Sequence, residues 1–171
     1  MPKATRKSIP ISVQLQVFFR DRWLCYICRR PLIFPFALKQ LANLVPGTPV
    51  SPQLAYYNLN WRRDRAPLLD ELGASIDHVE AFANGGAHGI ENFAAICARC
   101  NARKNTLSRQ EFEQASRPWR VRGKHGEPLT WDGLASVFAV LAGNSTMPLT
   151  ATERKWLKGL QEHYQANTPA R

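Results

Sequence analysis

The four cysteines of the sequence form two Cys-x-x-Cys pairs, Cys25 with Cys28 and Cys97 with Cys100. One such turn brings two thiolates to the same ion, and two turns complete a tetrahedral shell of four sulfurs. Because that shell leaves no coordination position open, the pattern predicts a structural zinc site. An iron centre, a redox dithiol and cysteines buried as plain hydrophobic residues are the alternatives. Zinc binding would stabilise a motif too small to fold without help.

Positive charge is concentrated around the two cysteine pairs. The 171-residue chain has a formal net charge of +10. Residues 1–30 carry seven Lys and Arg against one Asp, and residues 97–125 carry eight against two Glu, so each stretch has a net charge of +6. A basic surface beside a metal site indicates a polyanionic partner, with nucleic acid first. Charge alone is equally consistent with solvated side chains, so the motifs have to decide.

The sequence shows neither a secretory signal nor a membrane span. Residues 1–7 are charged, and no apolar segment of a signal peptide follows them. The sequence contains no run of 18 apolar residues. Paired cysteines without a signal favour reduced, metal-binding thiols over disulfides. We therefore expect a cytoplasmic protein with no membrane partner.

The order of predicted elements is typical of an α+β fold. Residues 1–7 are predicted to be a flexible basic arm. Residues 8–24 alternate like a strand but also carry helix-start signals, and we predict a helix, mainly from the resemblance given below. Residues 31–73 contain six prolines and several aromatic residues, which indicates a structured insertion with one short helix near residues 38–44.

The segment after the insertion is predicted to run strand, loop, strand, knuckle, helix. The strands are expected at residues 74–79 and 93–96, and the helix is expected to begin near Asn101. Asn84-Gly85-Gly86 supplies the positive φ angles of a tight reversal between the strands. The tail, residues 108–171, is predicted to be helical. Its signals are capping boxes at Ser108/Glu111 and Thr150/Glu153, a buried helix over residues 131–141, and an apolar face with Trp156, Leu157, Leu160 and Tyr164.

An adjacent acid and base lie between the cysteine pairs. Asp77 and His78 follow one another on a predicted strand, so their side chains leave on opposite faces. The carboxylate is a hard oxygen ligand suited to Mg²⁺, and an imidazole can be a neutral base near pH 7. Asn92 can fix the loop by side-chain hydrogen bonds, and Asn101 can offer an amide oxygen. Lys104, one helical turn later, can meet a phosphate.

These residues, in this order, resemble the HNH endonucleases of the four-cysteine type. The resemblance is carried by Arg20-Asp21-Arg22-Trp23-Leu24-Cys25-x-x-Cys28, Ile76-Asp77-His78-Val79, Gly85-Gly86, Asn92-Phe93 and Cys97-x-x-Cys100-Asn101-x-x-Lys104. It implies a small ββα-metal core held by the zinc site, with an N-terminal helix. The nuclease domain would span residues 8–107 with the insertion at 31–73, and a helical extension, residues 108–171, would pack on the same domain.

The resemblance also implies roles for single residues. His78 would be the general base, Asp77 a metal ligand, and Asn92 the residue that orients the loop. The third family position, often His, falls on Asn101, so the chain is similar to an HNN variant. This departure leaves the preferred catalytic ion open among Mg²⁺, Mn²⁺ and Ni²⁺.

The expected function is metal-dependent hydrolysis of phosphodiester bonds in DNA, as nicks or double-strand cuts, in a bacterial cytoplasm. Double-stranded DNA is the expected partner, and Arg99, Arg103 and Lys104 are expected to hold its phosphates. Two alternatives stay open: a non-catalytic zinc module that binds DNA, and an RNase or toxin that uses the same site. Both a monomer and a homodimer are consistent with the sequence.

The remaining histidines are weaker candidates. His88 lies in the glycine-rich loop, where it would either line the site or, as the simpler interpretation, be a solvated side chain. His125 and His163 lie in the tail without matching partners.

Overall fold

The computed structural model of the chain describes residues 8–43, 71–104, 110, 130–146 and 148–167. These residues form an α+β fold with a two-stranded antiparallel sheet, which confirms the predicted class. The α-helices of the described part are α1 (Ile11–Arg20), α2 (Pro35–Asn43), α3 (Ala98–Lys104), α4 (Ala135–Asn144) and α5 (Ala151–Asn167), and its strands are β1 (Ala74–His78) and β2 (Phe93–Cys97). None of these helices combines the length and the apolar character that crossing a bilayer requires.

Helix α1 confirms the helix predicted over residues 8–24 and attaches the N-terminal part to the sheet. Pro10 precedes it, and Leu15, Val17 and Phe18 are buried on its inner face. At its C-terminal end, Arg20 donates to the Phe93 carbonyl at 2.6 Å, and the Asp21 carboxylate accepts from the Ala95 amide at 2.8 Å. These bonds satisfy backbone groups along the outer edge of β2, which would otherwise be free to pair.

The pairing register of the two strands places different residues at the two ends of the sheet. His78 pairs with Phe93 at one end, and Ala74 pairs with Cys97 at the other. Helix α3 starts at Ala98, directly after the strand. The sequence predicts a helix start near Asn101, and the helix begins three residues earlier. Its first turn includes Cys100. The strand–strand–helix order predicted from the sequence is confirmed.

Helix α2 confirms the short helix predicted within the insertion, and it contacts the tail. Thr150 donates to the Glu153 carboxylate through its amide at 2.8 Å and its hydroxyl at 2.6 Å, which confirms this capping box. Glu153 is fully buried and also pairs with Lys39 of α2 at 2.8 Å. Burial by itself raises the pKa of Glu153, but the hydrogen bonds from Lys39 and Thr150 outweigh it and lower the pKa.

The tail helices share one hydrophobic core with α1. Phe138 of α4 and Trp156 and Leu160 of α5 are buried in the same cluster as Phe18. Helix α4 begins four residues later than predicted, because the Asp132 carboxylate lies before the helix and accepts from the amides of Leu134 and of Ser136 in its first turn. Residues 44–70 and the Ser108/Glu111 capping box lie outside the described residues, so the domain limits stay a prediction.

Candidate active site

The four cysteine sulfurs lie together. Their Sγ atoms are all within 4.8 Å of one another, and those of Cys28 and Cys97 are 3.9 Å apart. Zn–S bonds of about 2.3 Å in a tetrahedron place the sulfurs about 3.8 Å apart. Three of the cysteines are buried, and Cys28 is half-buried. The donor set and its spacing therefore fit zinc, as the sequence predicts.

The thiols perturb one another in the way expected of a cation site. The pKa of Cys25 is lowered, chiefly by a hydrogen bond from Cys100 and then by those from Cys28 and Cys97. The same interaction with Cys25 raises the pKa of Cys100. The four thiols cannot all ionise in so small a volume without a compensating positive charge. Zinc would supply that charge and would release the protons on binding.

The Asp77 carboxylate is held on one oxygen. Its Oδ2 accepts from the Tyr26 hydroxyl at 2.9 Å and pairs with the Lys104 ammonium at 2.9 Å. Its Oδ1 has no hydrogen-bond partner among the described residues. Asp77 is 14% exposed, so this second oxygen can meet a ligand from solvent.

Lys104 occupies a different environment from the one expected of a phosphate contact. Its side chain is 1% exposed, and Nζ also donates to the His78 carbonyl at 2.8 Å. The ammonium thus joins α3 to the end of β1 and fixes the orientation of the Asp77 carboxylate. A buried cation with this pair of acceptors stabilises the site and does not face solvent.

Asn101 lies on the same side of β1 as Asp77. Its Nδ2 donates to the Ser75 hydroxyl at 3.3 Å. Ser75 and Asp77 are two residues apart on a strand, so both side chains point towards α3. Asn101 and Lys104 are one turn apart on that helix. The structure therefore brings the two predicted metal ligands to one face of the strand, with the amide oxygen of Asn101 available as an acceptor.

Asn92 makes the hydrogen bonds of a residue that fixes the loop between the strands. Its Oδ1 accepts from the Glu80 amide at 2.8 Å, and its Nδ2 donates to the carbonyls of Glu80 at 2.9 Å and Ala87 at 2.8 Å. Gly86 allows this crossing, because a Cβ there would lie 2.0 Å from the Glu80 carbonyl oxygen. The loop is thus closed across its base by one side chain.

His78 leaves the opposite face of β1 from Asp77 and is buried. Its imidazole is 2% exposed and packs edge-on against Phe93, with ring centroids 4.9 Å apart. Its Nε2 lies 3.1 Å from Nδ1 of His88. His88 is half-buried and contacts His78. The interpretation of His88 as a solvated loop side chain is therefore wrong.

Residues 67–107 match the family model of the HNH endonucleases. This HNH segment includes β1, the Asn92 loop, β2 and α3, with the second cysteine pair, while the first pair lies before it. No curated protein and no solved structure matches the chain. The match confirms the family resemblance drawn from the sequence, and it points to a nuclease that acts on nucleic acid.

Arginines lie around the HNH segment. Arg99 and Arg30 both pair with the exposed carboxylate of Glu71, at 3.1 and 3.2 Å. Arg103 is exposed in the last turn of α3. A polar cavity of about 430 Å³ lies beside Tyr26 and is lined by Arg20, Arg22 and Arg29 together with the acidic residues Asp21 and Glu91. Arginines are thus present on α1, the first knuckle and α3, several of them paired with carboxylates.

Two residues that contact the predicted site residues are not among those predicted: Tyr26 has no role in the sequence analysis, and His88 is judged a weaker candidate there. Tyr26 lies inside the first Cys-x-x-Cys pair, and its hydroxyl reaches the Asp77 carboxylate. His88 lies four residues before Asn92 and contacts His78. The sequence signal for Tyr26 is a phenol between two paired cysteines, because such a turn holds its side chains rigidly. The sequence signal for His88 is an imidazole in the loop that Asn92 is predicted to fix.

Proposed function

We propose that the chain is a metal-dependent HNH endonuclease that hydrolyses phosphodiester bonds in DNA. The observation that carries this proposal is the arrangement at one end of the sheet. There the Asp77 carboxylate and the His78 imidazole leave opposite faces of β1, and Asn101 lies on the Asp77 face, bonded to Ser75 two residues earlier on the strand. The match of residues 67–107 to the HNH endonucleases supports the same chemistry.

Asp77 and Asn101 are the residues proposed to hold the catalytic ion. Oδ1 of Asp77 and the amide oxygen of Asn101 are hard oxygen donors, the type that Mg²⁺ and Mn²⁺ prefer. Tyr26 and Lys104 occupy Oδ2 of Asp77 and so leave Oδ1 with a fixed direction. When bound, a divalent ion such as Mg²⁺, Mn²⁺ or Ni²⁺ would supply Lewis-acid stabilisation of the phosphate and the leaving oxygen.

His78 is the proposed general base. A ring nitrogen would take a proton from the attacking water, whose oxygen forms the new bond to phosphorus while the bond to the 3′ oxygen breaks. The departing oxygen takes up a proton, so the products are 5′-phosphate and 3′-hydroxyl ends. Packing against Phe93 and the His88 contact hold the imidazole in one place, which proximity catalysis requires.

Arg99 and Arg103 are proposed to hold phosphates that flank the cleaved bond. Both lie on α3, which also carries Asn101 and Lys104. Each arginine that neutralises a phosphate would release counterions, so binding would weaken as salt rises. We assign Lys104 to holding Asp77, because its ammonium is buried. Double-stranded DNA as the partner and a bacterial cytoplasmic location stay predictions.

Cleavage of supercoiled plasmid tests the proposal. We expect nicking or linearisation with Mg²⁺, Mn²⁺ or Ni²⁺, and none in EDTA. His78→Ala should lower the rate by about 10²- to 10⁴-fold, the usual loss when general-base assistance is removed. The matched control is His163→Ala. It removes an imidazole of the tail that stacks on Phe19 of α1.

Three other outcomes would contradict the proposed function or the role of His78. DNA binding without cleavage under any of these ions would indicate a non-catalytic zinc module. Cleavage of RNA with intact DNA would indicate an RNase that uses the same site. A His78→Ala variant that cuts like the wild type would remove His78 from the mechanism.

A further inference from the structure

We propose that His88 is a positioning residue of this site. Through its Nδ1 it holds the buried imidazole of His78 in one orientation at the end of β1. The inference rests on the proposed role of His78 as the base. It gives a specific role to a side chain that the sequence alone makes only a weak candidate.

The hydrogen bond between the two imidazoles is the first observation. Nε2 of His78 and Nδ1 of His88 are 3.1 Å apart, a normal hydrogen-bond distance, so one nitrogen donates and the other accepts. A hydrogen bond at one ring nitrogen of a histidine decides which nitrogen carries the proton and prevents the ring from flipping. His88 therefore holds the His78 ring in one rotamer and couples the tautomers of the two imidazoles.

The surroundings of His78 are the second observation. Its imidazole is 2% exposed, and Phe93 and Phe82 pack against it, with ring centroids 4.9 and 5.8 Å away. The phenyl rings offer no hydrogen bond to Nε2. Nε2 faces His88, which is itself partly exposed. His88 therefore covers Nε2 on the side of the loop surface, so the proton transfer proposed for His78 is assigned to its Nδ1.

The loop delivers His88 to this position rigidly. Nδ2 of Asn92 donates at 2.8 Å to the carbonyl of Ala87, the residue immediately before His88. The preceding residue, Gly86, lets the chain pass against Glu80, where a Cβ would clash at 2.0 Å. The His88 ring then contacts Phe93 edge-on, with centroids 5.1 Å apart. The hydrogen bonds of Asn92 thus place His88 as well as closing the loop.

A competing interpretation is that the His88 ring only fills space between Phe82 and Phe93. The two interpretations differ in which atom matters. Asparagine places its amide at the position of Nδ1 and can donate or accept, whereas glutamine carries the amide one bond further out. Phenylalanine keeps the ring and removes both nitrogens. The four variants His88→Ala, His88→Phe, His88→Asn and His88→Gln therefore separate the hydrogen bond from the packing.

The first measurement is steady-state plasmid cleavage, with kcat and KM determined separately. We expect kcat to fall by about 10- to 100-fold in the Ala, Phe and Gln variants, as expected for a misplaced catalytic group. KM should stay unchanged, because no proposed phosphate contact is altered. His88→Asn should restore kcat to within a few-fold of wild type. His163→Ala is again the control, and zinc content and melting temperature show that each variant folds.

The second measurement does not depend on cleavage. Nitrogen-15 NMR of histidine-labelled protein reports the tautomer of His78. We expect the His78 signals to shift in His88→Phe and to stay near their wild-type positions in His88→Asn. The His163→Ala variant should leave them unchanged.

The outcomes distinguish this inference from the proposed function. If the wild type cuts DNA and His88→Phe cuts equally well, the inference is overturned and the nuclease proposal stands. If His88→Asn is as slow as His88→Ala while His88→Phe is fast, the ring packing matters and the hydrogen bond does not. A wild-type chain that cuts no nucleic acid overturns the proposed function, and the NMR comparison then still decides whether His88 orients His78.

Discussion

The two ends of the β1–β2 sheet carry different chemistry, although only four strand steps, about 13 Å, separate them. The end where Ala74 pairs with Cys97 opens into four thiols whose sulfurs all lie within 4.8 Å of one another. The end where His78 pairs with Phe93 carries two imidazoles on one face and, one residue earlier, the Asp77 carboxylate on the other. Soft sulfur donors that close a tetrahedron leave no place for substrate. Oxygen and nitrogen donors that are only partly satisfied can still bind an ion or move a proton.

The two ends of the sheet together combine rigidity with reactivity in one small motif. The cysteine end receives its stability from a cation, because four thiols at this distance need one. The histidine end receives its rigidity from the first end, since Tyr26 lies between Cys25 and Cys28 and donates to Asp77. Lys104 does the same from α3, the helix that carries Cys100. Each knuckle thus contributes one side chain that orients the proposed metal ligand.

The largest effect is expected at the cysteine end. Cys97→Ser should unfold the protein, because structural zinc supplies on the order of 10 kcal/mol, comparable to the whole stability of a small domain. Far-UV circular dichroism and zinc analysis measure the loss, and chelation of the wild type should reproduce it. Ala98→Ser adds a hydroxyl in the same turn without removing a ligand and should keep both zinc and fold. Stoichiometric zinc with unchanged melting in Cys97→Ser would remove the four-sulfur assignment.

A smaller but still large effect is expected where the two ends are joined through Lys104. Asp77→Asn leaves the buried ammonium without its counter-ion and should cost about 3–5 kcal/mol of unfolding free energy. Lys104→Met should cost less, because Asp77 is partly exposed and water can replace the ammonium. The double variant should be less destabilised than the sum, with a coupling of about 0.5–3 kcal/mol. Urea denaturation measures all three, and Arg103→Met on the same helix is the exposed control.

The double-variant cycle also tests whether the Asp77–Lys104 ion pair connects the two ends of the sheet. Additive free energies in the double variant would mean that Asp77 and Lys104 do not interact in solution. The carboxylate would then owe its orientation to Tyr26 alone.

A moderate effect confined to the histidine end is expected from the loop. Gly86→Ala should destabilise the protein by about 1–3 kcal/mol, the usual range for an overpacked site, because its Cβ would meet the Glu80 carbonyl oxygen at 2.0 Å. Gly89→Ala meets only the flexible Glu91 side chain, at 3.2 Å, and should be nearly neutral. Cleavage should fall in Gly86→Ala while zinc content stays complete. Equal melting temperatures for the two variants would show that the loop does not cross as tightly as described.

The smallest effect is expected at the surface beside the cysteine end. Glu71→Gln removes the carboxylate shared by Arg30 and Arg99, and exposed pairs of this kind contribute about 0–1 kcal/mol. Stability should therefore change by less than about 0.5 kcal/mol. DNA affinity should rise by a few-fold, with a steeper salt dependence, because neither arginine is then neutralised by this carboxylate and each can pair with a phosphate. Glu162→Gln removes the same charge on α5 and is the control, and an equal gain there would indicate net charge alone.

Much of the local architecture could be predicted because its signals are local. The two Cys-x-x-Cys pairs indicate the sulfur cluster, since a turn of that length has few other uses. Of the positive φ angles predicted for Asn84-Gly85-Gly86, only the one at Gly85, 89°, is found, while the flanking apolar runs correctly predict the two strands and their order. The Thr150/Glu153 capping box predicts the start of α5, because both partners lie within one helical turn. Boundaries failed by three or four residues at α3 and α4, where a zinc ligand and the Asp132 carboxylate define the first turn.

The order of residues fixes the donor types, their succession along the chain and the adjacency that sends Asp77 and His78 to opposite faces. The partners of those side chains depend on how the folded chain packs. This packing buries Lys104 under Asp77, brings Tyr26 across from the first knuckle, and sets His88 on His78. The physical reason is that periodicity and spacing report neighbours along one element. The partners of Asp77 and His78 come from a knuckle, a helix and a loop that meet only when β1 and β2 pair and the core closes around them.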